Sequence, residues 1–303
     1  MTKFAIVGAS RGATLHADAI LRTPGADLVG VGGRPGSAEL LAEVAEVPDL
    51  SMAELVAHAD VMVVAVPPAE LAGVTQQLAS LRGELKAALI EMPIIHEISA
   101  LPFATMTASN FLYAPLARRA LSAITHLDAP HHVQIRITQP EPTWGAHGQP
   151  GFGGPALDPG GRLVTLLAVA AGEPIINATV TNRGTNPTTE TVTFGLASGR
   201  EASIKSTWQP GAARTELEVA DRSGVVSLAF DPLPTLAIDG HEVENVDDDP
   251  LVAMGFVPQI ERIMQVANGR AKPWPDIDVG EALGQMMYAA VNERPRFTEP
   301  TDS

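Results

Sequence analysis

Apolar positions along the chain fall into two regimes of spacing. In the first, short runs of buried-strand character alternate with stretches at helical spacing. Phe4 to Val7 reads as a strand, followed by a tight turn and the opening of a helix. Asp27 to Gly32 reads as a second strand with Ser37 to Ala45 as its helix. Ser51 to His58 is helical, and Val61 to Val66 is a strongly β-branched strand ending at Pro67-Pro68. A helix near Leu71 to Leu81 then precedes the strand Ala87 to Glu91. Strands alternating with helices of this length imply crossover connections and a parallel sheet covered on both faces. In such a sheet, ligands sit beyond the carboxyl ends of the strands, here the loops after Val7, Gly32, Val66 and Glu91.

Past Pro130 the period shifts to two. His132 to Thr138, Ile176 to Thr181, Thr191 to Leu196, Ala202 to Trp208, Thr215 to Val219 and Val225 to Phe230 alternate, each bounded by turn residues. They predict a mostly antiparallel sheet of about six strands. A helix at Gly161 to Ala171 interrupts them after a Gly/Pro-rich loop, Thr143 to Pro159, and helical spacing returns at Phe256 to Ala267 and Gly280 to Asn292. Residues 294 to 303 read as a frayed tail. The expected fold class is α/β: a doubly wound, Rossmann-type parallel sheet over residues 1–118, then an α+β domain with an open, mostly antiparallel sheet over 119–303. The final helix is free to pack back on the first domain.

Candidate chemistry starts at the first turn. Gly8, Ser10, Gly12 and Ala13 form a loosened Gly-x-Gly-x-x-Gly/Ala fingerprint, the arrangement that cradles a dinucleotide pyrophosphate at a helix N-terminus. Arg11 adds a positive charge beside the anion; an ordinary strand-to-helix turn could look the same. Net charge is −15, which argues against a nucleic-acid or anionic-membrane partner, so an anionic cofactor has to be held by local groups. With 0 cysteines, thiol nucleophiles, disulfides and thiolate metal sites are excluded. The N-terminal apolar run is too short for a signal peptide, and no run suggests a membrane span, so a cytoplasmic location is expected. The acidic run Asp247 to Asp249 reads as a solvated loop rather than a metal site.

Four patterns in order, GASRGATLHA at 8–17, AVPPAEL at 65–71, EMPI at 91–94 and GGPALDPGGRLVTLLAVAAGEP at 153–174, resemble the glucose-fructose oxidoreductase, inositol dehydrogenase and MocA-like family. The resemblance covers nearly the whole chain. It implies a domain binding NAD or NADP, a sheet domain shaping the site of a small-molecule substrate, and homodimers or homotetramers through that sheet. It also implies a Glu-Lys-Pro motif whose lysine contacts the reacting oxygen, and an aspartate and histidine four residues apart. Here those positions read Glu91-Met92-Pro93, and Asp158 with Arg162. Oxidising an alcohol requires a base for the hydroxyl proton, a contribution of about 10²- to 10⁴-fold. Met92 cannot move a proton and Arg162 stays protonated, so ordinary sugar-alcohol dehydrogenase activity is not expected.

Other residues have to fill the gap. His96 lies just past the strand end at Glu91, where it either reaches the pocket or starts the next helix. His147 and Trp144 lie in the loop before Asp158 and either border the substrate or anchor the loop. His131 and His132 open a strand, and His16 packs at its helix with no chemistry assigned. Arg162 suits a carboxylate, a phosphate or developing negative charge, or else pairs structurally with Asp158. Met92, Trp144, His147, Asp158 and Arg162 are thus the candidate substrate contacts. The cofactor groove is expected to include Gly33, Arg34, Ser37, Val66, Pro67, Glu91 and Met92. Because no carboxylate follows the second strand while Arg34 does, NADP(H) is favoured over NAD(H), with Ser37 adding a hydroxyl. Three functions stay open: reduction of a carbonyl, imine or conjugated substrate with an atypical proton donor; a cofactor-binding regulator or companion subunit without turnover; and a non-redox lyase, isomerase or cyclase.

Overall fold

The computed structural model describes residues 1–34, 36–81, 83–128, 131–141, 154–157, 160–181, 188–230, 233–243 and 249–292. Trp144, His147 and Asp158, most of the loop before Asp158, Asp247 and Asp248, and the tail lie outside the described residues.

The first sheet is built from β1 (Thr2–Val7), β2 (Ala26–Gly32), β3 (Val61–Val64), β4 (Ala87–Glu91) and β5 (Ala104–Ala108), all parallel, in the order β2-β1-β3-β4-β5. Every residue of β3 is buried, because helices cover both faces; this is why the strands read as continuous apolar runs. The helices α1 (Arg11–Arg22), α2 (Ser37–Ala45), α3 (Met52–His58) and α4 (Pro68–Ser80) follow their strands. Their starts are chemically marked. Ser51 and Glu54 cap α3 reciprocally, and Pro68 opens α4 where its missing N–H goes unused. Chain order reverses between β1 and β3, the switch point at which sheets of this kind bind ligands.

Among the described residues the second sheet has eight strands rather than about six, in the order β13-β12-β11-β10-β6-β9-β8-β7. They are β6 (His132–Gln139), β7 (Ile175–Thr181), β8 (Thr189–Leu196), β9 (Glu201–Trp208), β10 (Arg214–Ala220), β11 (Val225–Phe230), β12 (Pro234–Ile238) and β13 (His241–Val243). Among the described residues of this sheet, only β6 and β9 pair in parallel. The two additional strands escape the alternation signal because β12 opens on proline and β13 has 3 residues. Along β6, Val133, Ile135 and Ile137 are buried while His132, Gln134, Arg136 and Thr138 are half-exposed, so one face is packed and the other open.

The packed face is covered by α5 (Pro115–Ile124), a short α6 (Gly154–Leu157) inside the stretch expected to be loop, α7 (Gly160–Ala171) and α10 (Ile277–Asn292). Residue 118 lies inside α5. After α8 (Pro250–Ala253), α9 (Phe256–Ala267) returns to the first sheet and packs on α1, β3, β4 and β5. No helix among the described residues is long and apolar enough to cross a membrane.

Candidate active site

The turn after β1 is shaped by steric necessity. Gly8 sits at φ +119°, and a Cβ there would lie 2.2 Å from the Ala65 carbonyl oxygen, so only glycine fits. Its N–H donates to the Gly32 carbonyl at 2.8 Å, tying the ends of β1 and β2. Gly33 passes so close that a Cβ on it would be 3.6 Å from the Gly8 Cα. Ser10 caps α1: its hydroxyl accepts from the Ala13 N–H and donates to the Ala65 carbonyl, both at 3.2 Å. First-turn N–H groups have no acceptor within their own helix. Those of Arg11 and Gly12 find no backbone partner among the described residues. With the positive end of the helix dipole and the exposed Arg11 side chain, they form a ready anion cradle. Val66, half-buried, and Pro67, the cap of α4, continue this edge beyond β3.

At the end of β4 a second group converges. Gly12 and His16 lie one turn apart on α1 and both face Glu91. The His16 Nε2 is 2.6 Å from the Glu91 Oε1, and the same oxygen would be 3.2 Å from a Cβ on Gly12. His16 is fully buried, edge-on to the ring of Phe256 on α9, and its Nδ1 has no hydrogen-bond partner among the described residues. Burial pushes the Glu91 carboxyl up, but the hydrogen bond and charge of His16 outweigh it. With Arg162 beyond, they hold the group below its ordinary 4.5. The carboxylate therefore stays ionised.

Arg162 reaches this place because α7 abuts the strand end: a Cβ on Gly161 would lie 2.8 Å from the Pro93 Cβ. Arg162 itself is exposed. Met92 is buried in the core, with 4% of its surface exposed. His96 is exposed and stacks edge-on against Tyr288 of α10, with ring centres 5.5 Å apart. The structure thus brings Glu91, His16 and Arg162 together and sets His96 against the C-terminal helix. Among the described residues, no group of three or more His, Asp or Glu could hold a metal ion.

The end of β2 differs from expectation. The Arg34 guanidinium donates to the Glu70 carboxylate, which comes from the first turn of α4. The Ser37 hydroxyl donates to the Arg34 carbonyl at 3.1 Å. The expected NADP(H) preference rests on there being no carboxylate beside Arg34, and Glu70 supplies one from 36 residues away. Glu70 lies in the AVPPAEL pattern, but nothing in the local sequence ties it to Arg34. His16 packs at its helix as expected, but its contact with Glu91 is not foreseen, although its place one turn after Gly12 is a usable signal.

A parallel sheet with helices on both faces and a glycine turn at its switch point, joined to an open second sheet, defines a two-sheet α/β fold of the Rossmann type. No family model matches the chain, and no curated protein matches it in sequence. Solved structures do match its fold. GenD2 from gentamicin A biosynthesis, in complex with NAD, is 19% identical, with 97% of this chain and 95% of that one covered at a TM-score of 0.77. The scyllo-inositol dehydrogenase of Lactobacillus casei gives 14%, 97%, 95% and 0.75. The UDP-N-acetylglucosamine 3-dehydrogenase of Acidithiobacillus ferrooxidans gives 13%, 96%, 96% and 0.70. The chain therefore has the fold of the glucose-fructose oxidoreductase, inositol dehydrogenase and MocA-like dehydrogenases.

Proposed function

We propose that this chain is a nicotinamide-dependent oxidoreductase that reduces a small carbonyl, imine or conjugated compound without the lysine usual in this fold. The observation that carries the reading is the Gly8–Ala13 cradle. A glycine forced to positive φ, a serine cap and first-turn N–H groups without backbone partners suit a pyrophosphate. That GenD2 was solved with NAD on a matching fold supports it. NADP(H), expected from Arg34, competes here with NAD(H), and the Arg34–Glu70 pair weighs toward NAD(H).

A reduced nicotinamide, when bound, would supply hydride to the electrophilic carbon, and a proton would go to the carbonyl oxygen, the imine nitrogen or, in a conjugated acceptor, the carbon next to the carbonyl. The chain's own residues then divide the work. Arg162 holds a substrate carboxylate or the negative charge developing on the acceptor atom. Glu91, anchored by His16, keeps Arg162 at the end of β4 by opposite charge. Asp158, His147 and His96 remain candidate proton donors, with Trp144 and Met92 as candidate walls; these roles rest on sequence. A homodimer or homotetramer through the open face of the second sheet is part of the same proposal, supported by the half-exposed alternate positions of β6.

The test is to follow consumption of NADH and NADPH by the purified protein over a panel of small carbonyl, imine and enone compounds. Turnover supports the proposal. Cofactor binding with no hydride transfer would favour a regulator or companion subunit, the reading that the buried Met92 supports. Product formed without nicotinamide would favour non-redox chemistry.

A further inference from the structure

We propose that Glu70 sets the choice of cofactor, cancelling Arg34 at the ribose edge of the groove so that the chain takes NAD(H) and discriminates against a 2′-phosphate. The inference rests on the dinucleotide reading above and deepens it.

The placement is specific. In sheets of this type the residues just beyond β2 meet the adenosine ribose: a carboxylate there takes the hydroxyls, and an arginine accommodates the extra phosphate of NADP. Here β2 ends at Gly32, Gly33 passes against Gly8 of the cradle, and the next residue is Arg34. Left alone, Arg34 would present a cation to a phosphate. Instead its guanidinium donates to the Glu70 carboxylate from the first turn of α4, on the opposite side of the β1–β3 switch. Ser37, the other candidate phosphate donor, spends its hydroxyl proton on the Arg34 carbonyl.

A 2′-phosphate entering this edge meets two adverse effects. It must compete with Glu70 for the guanidinium, and it must sit near the displaced carboxylate with like charge. A ribose hydroxyl meets neither and can donate to Glu70. The Arg34 and Glu70 side chains are 73% and 33% exposed, so their own attraction is weak. The pair therefore acts as a selective filter and not as a brace. An acidic residue in the first turn of a helix can also serve merely to complement the dipole, and that role would not distinguish one dinucleotide from the other.

Titrations of NADH and NADPH, read by cofactor fluorescence, should be run on the wild-type chain, Glu70→Gln and the double variant Glu70→Gln/Arg34→Ala. Melting curves show that each variant is folded. The wild type should bind NADH more tightly than NADPH. Glu70→Gln should raise the affinity for NADPH relative to NADH about tenfold, and Arg34→Ala should cancel that gain. An unchanged ratio in Glu70→Gln, with both cofactors binding, overturns the role of Glu70 and leaves the cofactor reading standing. A gain that survives Arg34→Ala overturns the pair as its cause. Failure of the wild type to bind either dinucleotide overturns both readings.

Discussion

Two acid–base pairs stand at different strand ends of the first sheet, one at the end of β4 and one beyond β2, and they behave as opposites. At the β4 end, His16 is fully buried and Glu91 keeps 24% of its side chain exposed, their atoms meeting at 2.6 Å. At the β2 end, Arg34 and Glu70 pair in the open. Removing one partner from a buried pair strands the other in a poor solvent, whereas an exposed pair trades its contact for water at little cost. The first pair is therefore fixed architecture at the end of β4, and the second is an exchangeable contact beyond β2. The contrast separates a contact that the packing holds from one that solvent or a ligand can displace.

The largest effect comes from the cradle between the two pairs. Gly8→Ala drives a methyl group into the Ala65 carbonyl at a backbone angle that alanine avoids, and it should cost about 3 kcal/mol in urea denaturation. Such a loss would blunt both ends at once; a variant as stable as wild type would mean the turn can relax, and with it the cradle.

Next comes Arg162→Leu. On whichever substrate the panel reveals, kcat/KM should fall roughly a hundredfold while NADH affinity holds. A parallel loss of NADH affinity would place Arg162 in the cofactor site instead.

Glu91→Gln probes the buried pair and should cost about 2 kcal/mol at neutral pH. The folded pKa of Glu91 lies below its ordinary 4.5, so its contribution is fully present above that value and is lost as pH falls through the lowered one. The gap between wild type and Glu91→Gln should accordingly narrow in acid, as read by denaturation at about pH 7 and about pH 3. A gap that widens in acid would reverse the sign of the account.

Smallest is Arg34→Ala, which should shift stability by no more than about 0.5 kcal/mol, and less at high salt. A loss as large as that of Glu91→Gln would erase the distinction between the pairs.

How much of this could be read along the chain depends on how local each feature is. The strand Ala87 to Glu91 and the helices Ser37 to Ala45 and Phe256 to Ala267 stand where the spacing puts them, because each carries its own apolar stripe or run. β5 went unread: in Ala104–Ala108 two threonines break the apolar run, and Thr105 and Thr107 are buried by tertiary packing. The cradle was legible because Gly8, Ser10, Gly12 and Ala13 stand within one short stretch, although the atoms that crowd Gly8 and Gly12 come from Ala65 and Glu91. Both pairs were not, since they join residues 75 and 36 positions apart. Arg34 looked like a free phosphate ligand only because its partner arrives on another helix.

The account turns on whether the Gly8–Ala13 turn receives a dinucleotide pyrophosphate. Backbone hydrogen exchange of the wild-type chain with and without NADH tests this directly. The account predicts saturable binding, with exchange slowed at the amides of Arg11 and Gly12 and along the start of α1. Binding that leaves those amides unprotected, or no binding at millimolar NADH, would contradict it.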